Sequence, residues 1–549
     1  MAMLPGSPGI GRPPQLQDYL KAIDAAVRAG DMRRAMAVSG EAADRGFEHP
    51  NIFILAAYHH LNLNQFNKAH DYATRARDSA PRNVDALNAL GVSLTKLDRT
   101  REAIPIFDAA LRQAPGAFIT HFNKAIALEQ ASELRRAREQ FIRALGLQPN
   151  HAESMTHIAH MASQRGDMAE ARDYATRALK LDPRQVYATF ALATADLADK
   201  NFTPVLNALT PISRDPNATG QTRGVALNMM GDALDGLGRY DDAFRAYTQA
   251  GDTFRAMHEP VFGRQSAPDL TRKLTDYFRA APVEKWRDVS KGAFQSPVKT
   301  HVFLVSFPRS GTTLLGQVLA AHPDVESMEE RSCLIDAHTF LLDDNGLDKL
   351  ANMDGAELDT YREAYWKRVA EEWEAPAKPV FVDKLPLNSV LLCLVAKLFP
   401  GAKILFALRD PRDVVLSCFR RRFGMTQQMY ELLTLNGAAA YYDVVMELCE
   451  AYREKLGLAV YDTRYETLVT DFEEETKRLC AFLGIEPDPG MADFAPKALA
   501  RHIDTPSAAQ VAQGLFTHGA GQWRPYREQL SPVLPILEPW IARYGYSKE

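Results

Sequence analysis

The residues of this chain best suited to chemistry stand in two short stretches, each preceded by an apolar run of strand length. In the first, His301–Phe307 (HVFLVSF) leads into Pro308-Arg309-Ser310-Gly311-Thr312-Thr313-Leu314 and then an amphipathic helix to about Ala321. A strand feeding a glycine- and hydroxyl-containing turn at a helix start is a cradle for an anion, because free backbone N–H groups and the positive end of the helix dipole converge there. Arg309 adds a permanent charge on a planar fork. In the second, Lys403–Leu408 (KILFAL) leads into R-D-P-R-D-V-V-L-S. Arg409 leaves the strand end, and Ser417 lies two turns into the following helix.

The best-known phosphate cradle, G-x-x-x-x-G-K-[ST], has a leading glycine and a lysine before its hydroxyl. Thr312 is preceded by neither in register, and no metal-binding aspartate partner is evident, so ordinary ATP hydrolysis is not expected. P-R-S-G-T-T-L instead resembles the 5′-phosphosulfate loop of sulfotransferases. In that family an Arg and a Ser spaced like Arg409 and Ser417 hold the 3′-phosphate of the donor, 3′-phosphoadenosine 5′-phosphosulfate (PAPS). The stretch A-A-H-P-D-V-E-S-M-E-E-R, ending at Arg331, resembles the tyrosylprotein sulfotransferases, in which the second residue of an acidic pair is the catalytic base.

The resemblance runs from about Thr300 to Tyr546. It implies that PAPS is bound by Arg309, Ser310, Gly311, Thr312, Thr313, Arg409, Ser417 and Tyr465. It also implies Glu330 as base, Lys384 with Arg309 as transition-state cations, and Ser507 near the reacting group. The chain departs from the family where an arginine two residues after the base is replaced by Ser332, and where a late Lys–Trp pair reads Gln522–Trp523. Sulfuryl transfer resembles loose phosphoryl transfer, in line and with charge building on the leaving phosphate oxygen. Fixed cations can supply most of the catalysis, so no metal is implied. A phenol acceptor, with a pKa of about 10, benefits from a carboxylate base. The plainer alternatives are a solvated surface role for Glu330 and Lys384, and packing or hydrogen bonding for Tyr465 and Ser507. Arg420, Arg421 and Arg422 read as a solvated basic helix face, or at most a contact for an acidic peptide, and His322 as structural.

The elements that must position these residues follow from the pattern. Pro379–Asp383 reads as a strand followed by Lys384, and Gly457–Tyr461 as another followed by Tyr465. Strands alternating with helices imply a P-loop-like α/β domain with a mainly parallel, doubly wound sheet, over residues 299–549. Ligands of such sheets sit at the carboxyl ends of the strands. Arg309, Lys384, Arg409 and Tyr465 all fall at or just past such ends.

The N-terminal part is organised differently. Pro81, Pro115, Pro149 and Pro183 recur every 34 residues. In the same register stand Ala69, Ala103, Ala137 and Ala171, then Ala76, Ala110, Ala144 and Ala178, then Ala57, Gly91, Ala125 and Ala159. Small residues at fixed places let helices approach closely, and the proline closes the second helix of each unit. The pattern resembles the tetratricopeptide-repeat (TPR) family and predicts an all-α solenoid of about seven units over 15–254. Residues 255–298 read as a cap and linker, with a helix near Leu270–Ala280.

Composition bounds the rest. The chain has 549 residues, too many for one core, with 46% hydrophobic and 24% charged residues. A net charge of −5 gives no reason to expect nucleic acid or an anionic membrane as partner. The five cysteines form no C-x-x-C pair, and the N-terminus has no apolar signal-peptide core; a reducing, cytoplasmic setting is expected. Two classes of function remain open. One is a PAPS-dependent sulfotransferase acting on a hydroxyl, tyrosine in a protein or peptide being favoured over glycans or small molecules, with the acceptor recruited by the solenoid. The other is a TPR adaptor whose sulfotransferase domain is degenerate, binding nucleotide without chemistry.

Overall fold

Helices Phe66–Ser79, Thr100–Gln113, Leu134–Leu147 and Met168–Leu181 begin 34 residues apart, and each ends two residues before one of the spaced prolines. The structure is a computed structural model and describes residues 14–287, 289, 292–373, 375–496 and 519–547. From Leu16 to Phe262 helices follow one another in pairs. The three alanine columns are buried throughout. Gly91 stands in one of them because a Cβ there would lie 2.5 Å from the Phe107 ring.

The turn inside each pair carries a second periodic signal that the side-chain pattern alone did not reveal. Gly30, Asn64, Asp98, Ser132, Gly166 and Lys200 all have positive φ, and they too are spaced by 34 residues. One left-handed residue per unit stops the first helix and turns the chain into the second.

The chain divides into two compact units between Asp199 and Lys200. The repeat spacing continues in sequence to about Phe254, but the helices of the later pairs pack within the second unit. In the hairpin Gly220–Gly236 and Tyr240–Phe262, the Phe244 and Tyr247 rings lie 5.3 and 6.4 Å from Phe419. Gly251 approaches the Leu433 carbonyl so closely that a Cβ would sit 2.1 Å from the oxygen. The helix Ala267–Ala280 follows and packs on Leu435–Lys455. Among the described residues no helix is long and apolar enough to cross a membrane.

The second unit is built on five parallel strands, β1 (Thr300–Val305), β2 (Val325–Glu329), β3 (Val380–Lys384), β4 (Lys403–Leu408) and β5 (Ala459–Arg464), in the order β2-β3-β1-β4-β5. Alternate residues of β1 serve opposite faces. Val302 and Leu304 join Leu315, Val318 and Leu479, while Phe303 and Val305 join Phe381, Phe406 and Tyr441. Both faces are covered at the middle of the sheet, which is why β1 and β4 read as continuous apolar runs. β2 escaped sequence reading because its residues, V-E-S-M-E, include three polar ones at a sheet edge. The strand before Tyr465 lies two residues later than expected at its start and three at its end.

Beneath the site, the β3 residue Asp383 is fully buried and accepts a hydrogen bond from Tyr365 Oη at 2.8 Å; His301 Nε2 lies 3.0 Å from the same hydroxyl. Burial pushes the Asp383 carboxyl up to about 7 and the His301 imidazole down to about 3.

Two outcomes are expected from this packing. Gly251→Ala must displace backbone, not a flexible side chain, and should destabilise the second unit by about 1–3 kcal/mol; urea unfolding of the variant measures it, and wild-type stability would refute the contact. For Asp383, an unfolded carboxyl titrates near 4, so the folded state retains its proton between about pH 4 and 7. Its contribution to stability is present below about pH 4 and is lost as pH rises to about 7. Asp383→Asn keeps an acceptor for Tyr365 and removes the titration. The stability of the variant relative to wild type should therefore climb across that interval, and a pH-independent difference would contradict the raised carboxyl.

Candidate active site

The register of the sheet brings the sequence-predicted residues to one edge. Leu304 of β1 and Glu329 of β2 both pair with Lys384 of β3, and Leu408 of β4 pairs with Arg464 of β5. The residues at or just beyond these partners, namely the Arg309 loop, Glu330, Lys384, Arg409 and Tyr465, are therefore neighbours. Ser507 lies outside the described residues.

The loop after β1 is pinned from several sides. Ser306 N–H donates to Pro386 O at 2.9 Å, Ser306 Oγ–H to Ala407 O, and Ser389 Oγ–H to Ser306 O. Arg309 and Gly311 then take left-handed backbone, with φ of 71° and 98°. Gly311 is the residue before helix Thr312–Ala320, and a Cβ on it would meet the Tyr465 ring at 2.9 Å. Glycine thus allows the loop to close on Tyr465, and at the N-cap it has no side chain with which to cap the helix. Ser310, Thr312 and Thr313 are buried around this turn.

Arg309 and Arg409 are joined through the loop. Arg309 Nε–H donates to Ser417 Oγ at 3.0 Å, and Arg409 Nη1–H to Arg309 O at 2.9 Å. Arg409 also donates to Gly519 O, and its guanidinium lies 5.1 Å from the Tyr465 ring centroid. Arg409 Nε is buried without a hydrogen-bond partner among the described residues. Burial, with Arg421 and Arg409 nearby, pushes the Arg309 guanidinium down to about 9. It still carries its charge at neutral pH. An anion is the group such a pocket would accept, and the orphan Arg409 N–H is a donor for it.

Next to this pocket is a lysine held by two carboxylates. Lys384 is fully buried, and its Nζ lies 2.6 Å from Glu329 Oε2 and 2.7 Å from Glu330 Oε1. The two acids differ in setting. Glu329 is 12% exposed and also accepts from Gln317 Nε2 at 2.6 Å, whereas Glu330 is 36% exposed. Glu330 leaves β2 with φ of 26°, its N–H donating to Lys384 O at 2.9 Å. The inner acid fixes the lysine, and the outer one opens to solvent. Glu329 and Gln317 were missed in the sequence, although their positions in E-E and on the helix after the loop carry the signal.

The C-terminal segment is tied to the same helix as Ser417. Asp413 accepts from Gly521 N–H at 2.7 Å and Trp523 N–H at 2.8 Å, bracketing Gln522, and burial pushes its carboxyl up to about 6. Arg412 lies 3.6 Å over the Trp523 ring. His322 Nε2 is 2.8 Å from Glu486 O, while its Nδ1 accepts from Asp324 N–H, as a structural histidine would. The arginine run departs from expectation. Arg420 is buried, paired to Asp235 at 2.9 Å, with the Tyr247 and Tyr526 rings 5.3 and 5.4 Å away. It is not part of a solvated face, because the hairpin 220–262 covers it.

Comparison with known proteins bears on both parts of the chain. Residues 301–489 match the model of the Sulfotransferase family, and residues 54–118 and 122–202 match Tetratricopeptide repeat. A protein of Aquifex aeolicus (strain VF5) is 23% identical over 424 residues, which cover 75% of this chain and 52% of that one. Protein-tyrosine sulfotransferase A of Caenorhabditis elegans is 24% identical over 270 residues, 44% of this chain and 62% of its own length. Protein-tyrosine sulfotransferase 1 of Mus musculus is 33% identical over 127 residues, 22% of this chain and 34% of its own. The chain thus spans only about half to three-fifths of the first two relatives. It is a tetratricopeptide-repeat protein that carries, after its repeats, a sulfotransferase-family domain resembling the protein-tyrosine sulfotransferases.

Proposed function

We propose that this chain transfers the sulfuryl group of PAPS to a hydroxyl, with tyrosine in a protein or peptide as the acceptor. The observation that carries the reading is the juxtaposition of a cationic, anion-ready loop with a lysine–glutamate pair at the same sheet edge. The 5′-phosphosulfate would lie on the loop Arg309–Thr313, and the 3′-phosphate at Arg409 and Ser417, with Tyr465 as a wall beside them. Glu330 accepts the phenolic proton as the acceptor oxygen bonds to sulfur and the bond from sulfur to the phosphate oxygen breaks. Lys384 and Arg309 stabilise the charge on the leaving phosphate. No step requires a metal. Glu330, partly exposed beside a buried ammonium, is placed to meet an acceptor that approaches from solvent.

The repeats support a protein acceptor, since a solenoid offers an extended surface for a polypeptide. The five cysteines are free and buried, which supports a reducing, cytoplasmic setting.

Incubation of the full chain with sulfur-labelled PAPS and a panel of tyrosine peptides, glycans and simple phenols tests the reaction and its acceptor. Label should pass to tyrosine peptides; transfer to none of the panel would sink the enzymatic reading. Glu330→Gln retains the shape but cannot take the proton. Turnover should fall by roughly 10²–10⁴-fold, with donor affinity within a few fold of wild type. A variant with near-normal turnover would remove Glu330 as the base.

A further inference from the structure

The helix that carries Ser417 is held from two sides, by the loop after β1 and by a repeat-like helix hairpin. Helix Pro411–Arg420 is ten residues long, with Ser417 in its last turn. Toward the site, Ser417 Oγ accepts from Arg309 Nε–H, and Cys418 Sγ–H lies 3.3 Å from Pro308 O. On the other side stands the hairpin Gly220–Gly236 and Tyr240–Phe262. Asn228 Nδ2–H donates to the Arg420 carbonyl at 3.0 Å, where the end of the helix leaves an acceptor without an intrahelical donor. Asp235 pairs with the Arg420 guanidinium and also accepts from Tyr526 Oη–H. Asp232, which accepts from Tyr247 Oη–H at 2.8 Å, faces Arg421 at 3.5 Å. Arg421 is in turn one of the charges that burden Arg309.

We infer that Asp235 is a positioning residue for the donor site: it holds the last turn of the helix so that Ser417 stays in reach of Arg309 and of the 3′-phosphate. The inference rests on the donor reading above. It assigns to the last repeat-like hairpin a part in nucleotide recognition, distinct from any recruitment by the earlier repeats. The chemistry is specific. Arg420 is buried between two aromatic rings, and Asp235 is its one ion-pair partner among the described residues. Removing that carboxylate leaves a buried cation that can recover hydration only by moving, and the turn bearing Ser417 moves with it.

The test compares two ligands by calorimetry on the full chain: 3′,5′-adenosine diphosphate, and adenosine 5′-monophosphate, which lacks the 3′-phosphate. Wild type should bind the diphosphate far more tightly. Asp235→Asn should weaken the diphosphate about ten-fold, the equivalent of one lost hydrogen bond, and leave the monophosphate within about two-fold. Asp235→Glu should recover part of the loss. A general loss of structure would weaken both ligands together, and that result, like unchanged binding of both, would overturn the inference. Should Asp235→Asn fold poorly, Asn228→Ala removes the other tether without stranding a charge. It should reduce the same discrimination, and full retention there counts against the proposal. If wild type itself fails to distinguish the two ligands, the donor reading falls and this inference with it.

Discussion

Positive charge gathered at one edge of a parallel sheet is the constraint on which this domain turns. Arg309, Lys384 and Arg409 converge there because β1, β3 and β4 are adjacent and run the same way. In a largely buried setting each cation needs compensation. Lys384 has it in full, from Glu329 and Glu330. Arg309 donates to Ser417 Oγ, Arg409 to the carbonyls of Arg309 and Gly519, and one Arg409 N–H has no hydrogen-bond acceptor among the described residues. That N–H remains a donor for an anion at this edge.

Much of this was legible in the sequence because strand ends are marked by local signals. Apolar runs of strand length preceded Arg309 and Arg409, and the glycine and hydroxyl residues after Arg309 pointed to a turn with free N–H groups. Glu330 was placed by resemblance, but the strand that delivers it was not seen, since β2 is a short edge strand with polar residues. Arg420 was misread for a related reason. Three consecutive arginines look solvated, and the partner that buries one of them, Asp235, is 185 residues away in the chain. Local pattern carries no information about such a contact.

The repeats show the same division. Period, helix ends and the buried alanine columns followed from spacing alone, because each unit is stabilised chiefly by its sequence neighbours. The place where the chain parts into two compact units did not. Hairpin 220–262 has repeat-like small residues at Gly231, Ala243 and Ala250, but Phe244, Tyr247 and Gly251 turn it toward Phe419 and Leu433. A helix pair with repeat-like small residues thus packs through Phe244, Tyr247 and Gly251 against the sheet's own helices and loops.

Backbone strain is present at the edge of the sheet where these groups meet. Arg309, in the loop after β1, and Glu330, directly after β2, are non-glycine residues in left-handed backbone outside the solenoid. Such conformations cost on the order of 1–3 kcal/mol apiece and persist only where surroundings determine them. Both are held by polar bonds to another residue of the same edge: Arg309 O accepts from Arg409, and Glu330 N–H donates to Lys384 O. The strained residues are therefore fixed by the groups with which they would act. A relaxed backbone at Arg309 would turn its carbonyl away from Arg409 and its guanidinium away from Ser417, and at Glu330 it would part the carboxylate from Lys384. The sheet's covered faces, dense with aromatic and branched side chains on both sides, offset this strain and keep the two arms of the site in place.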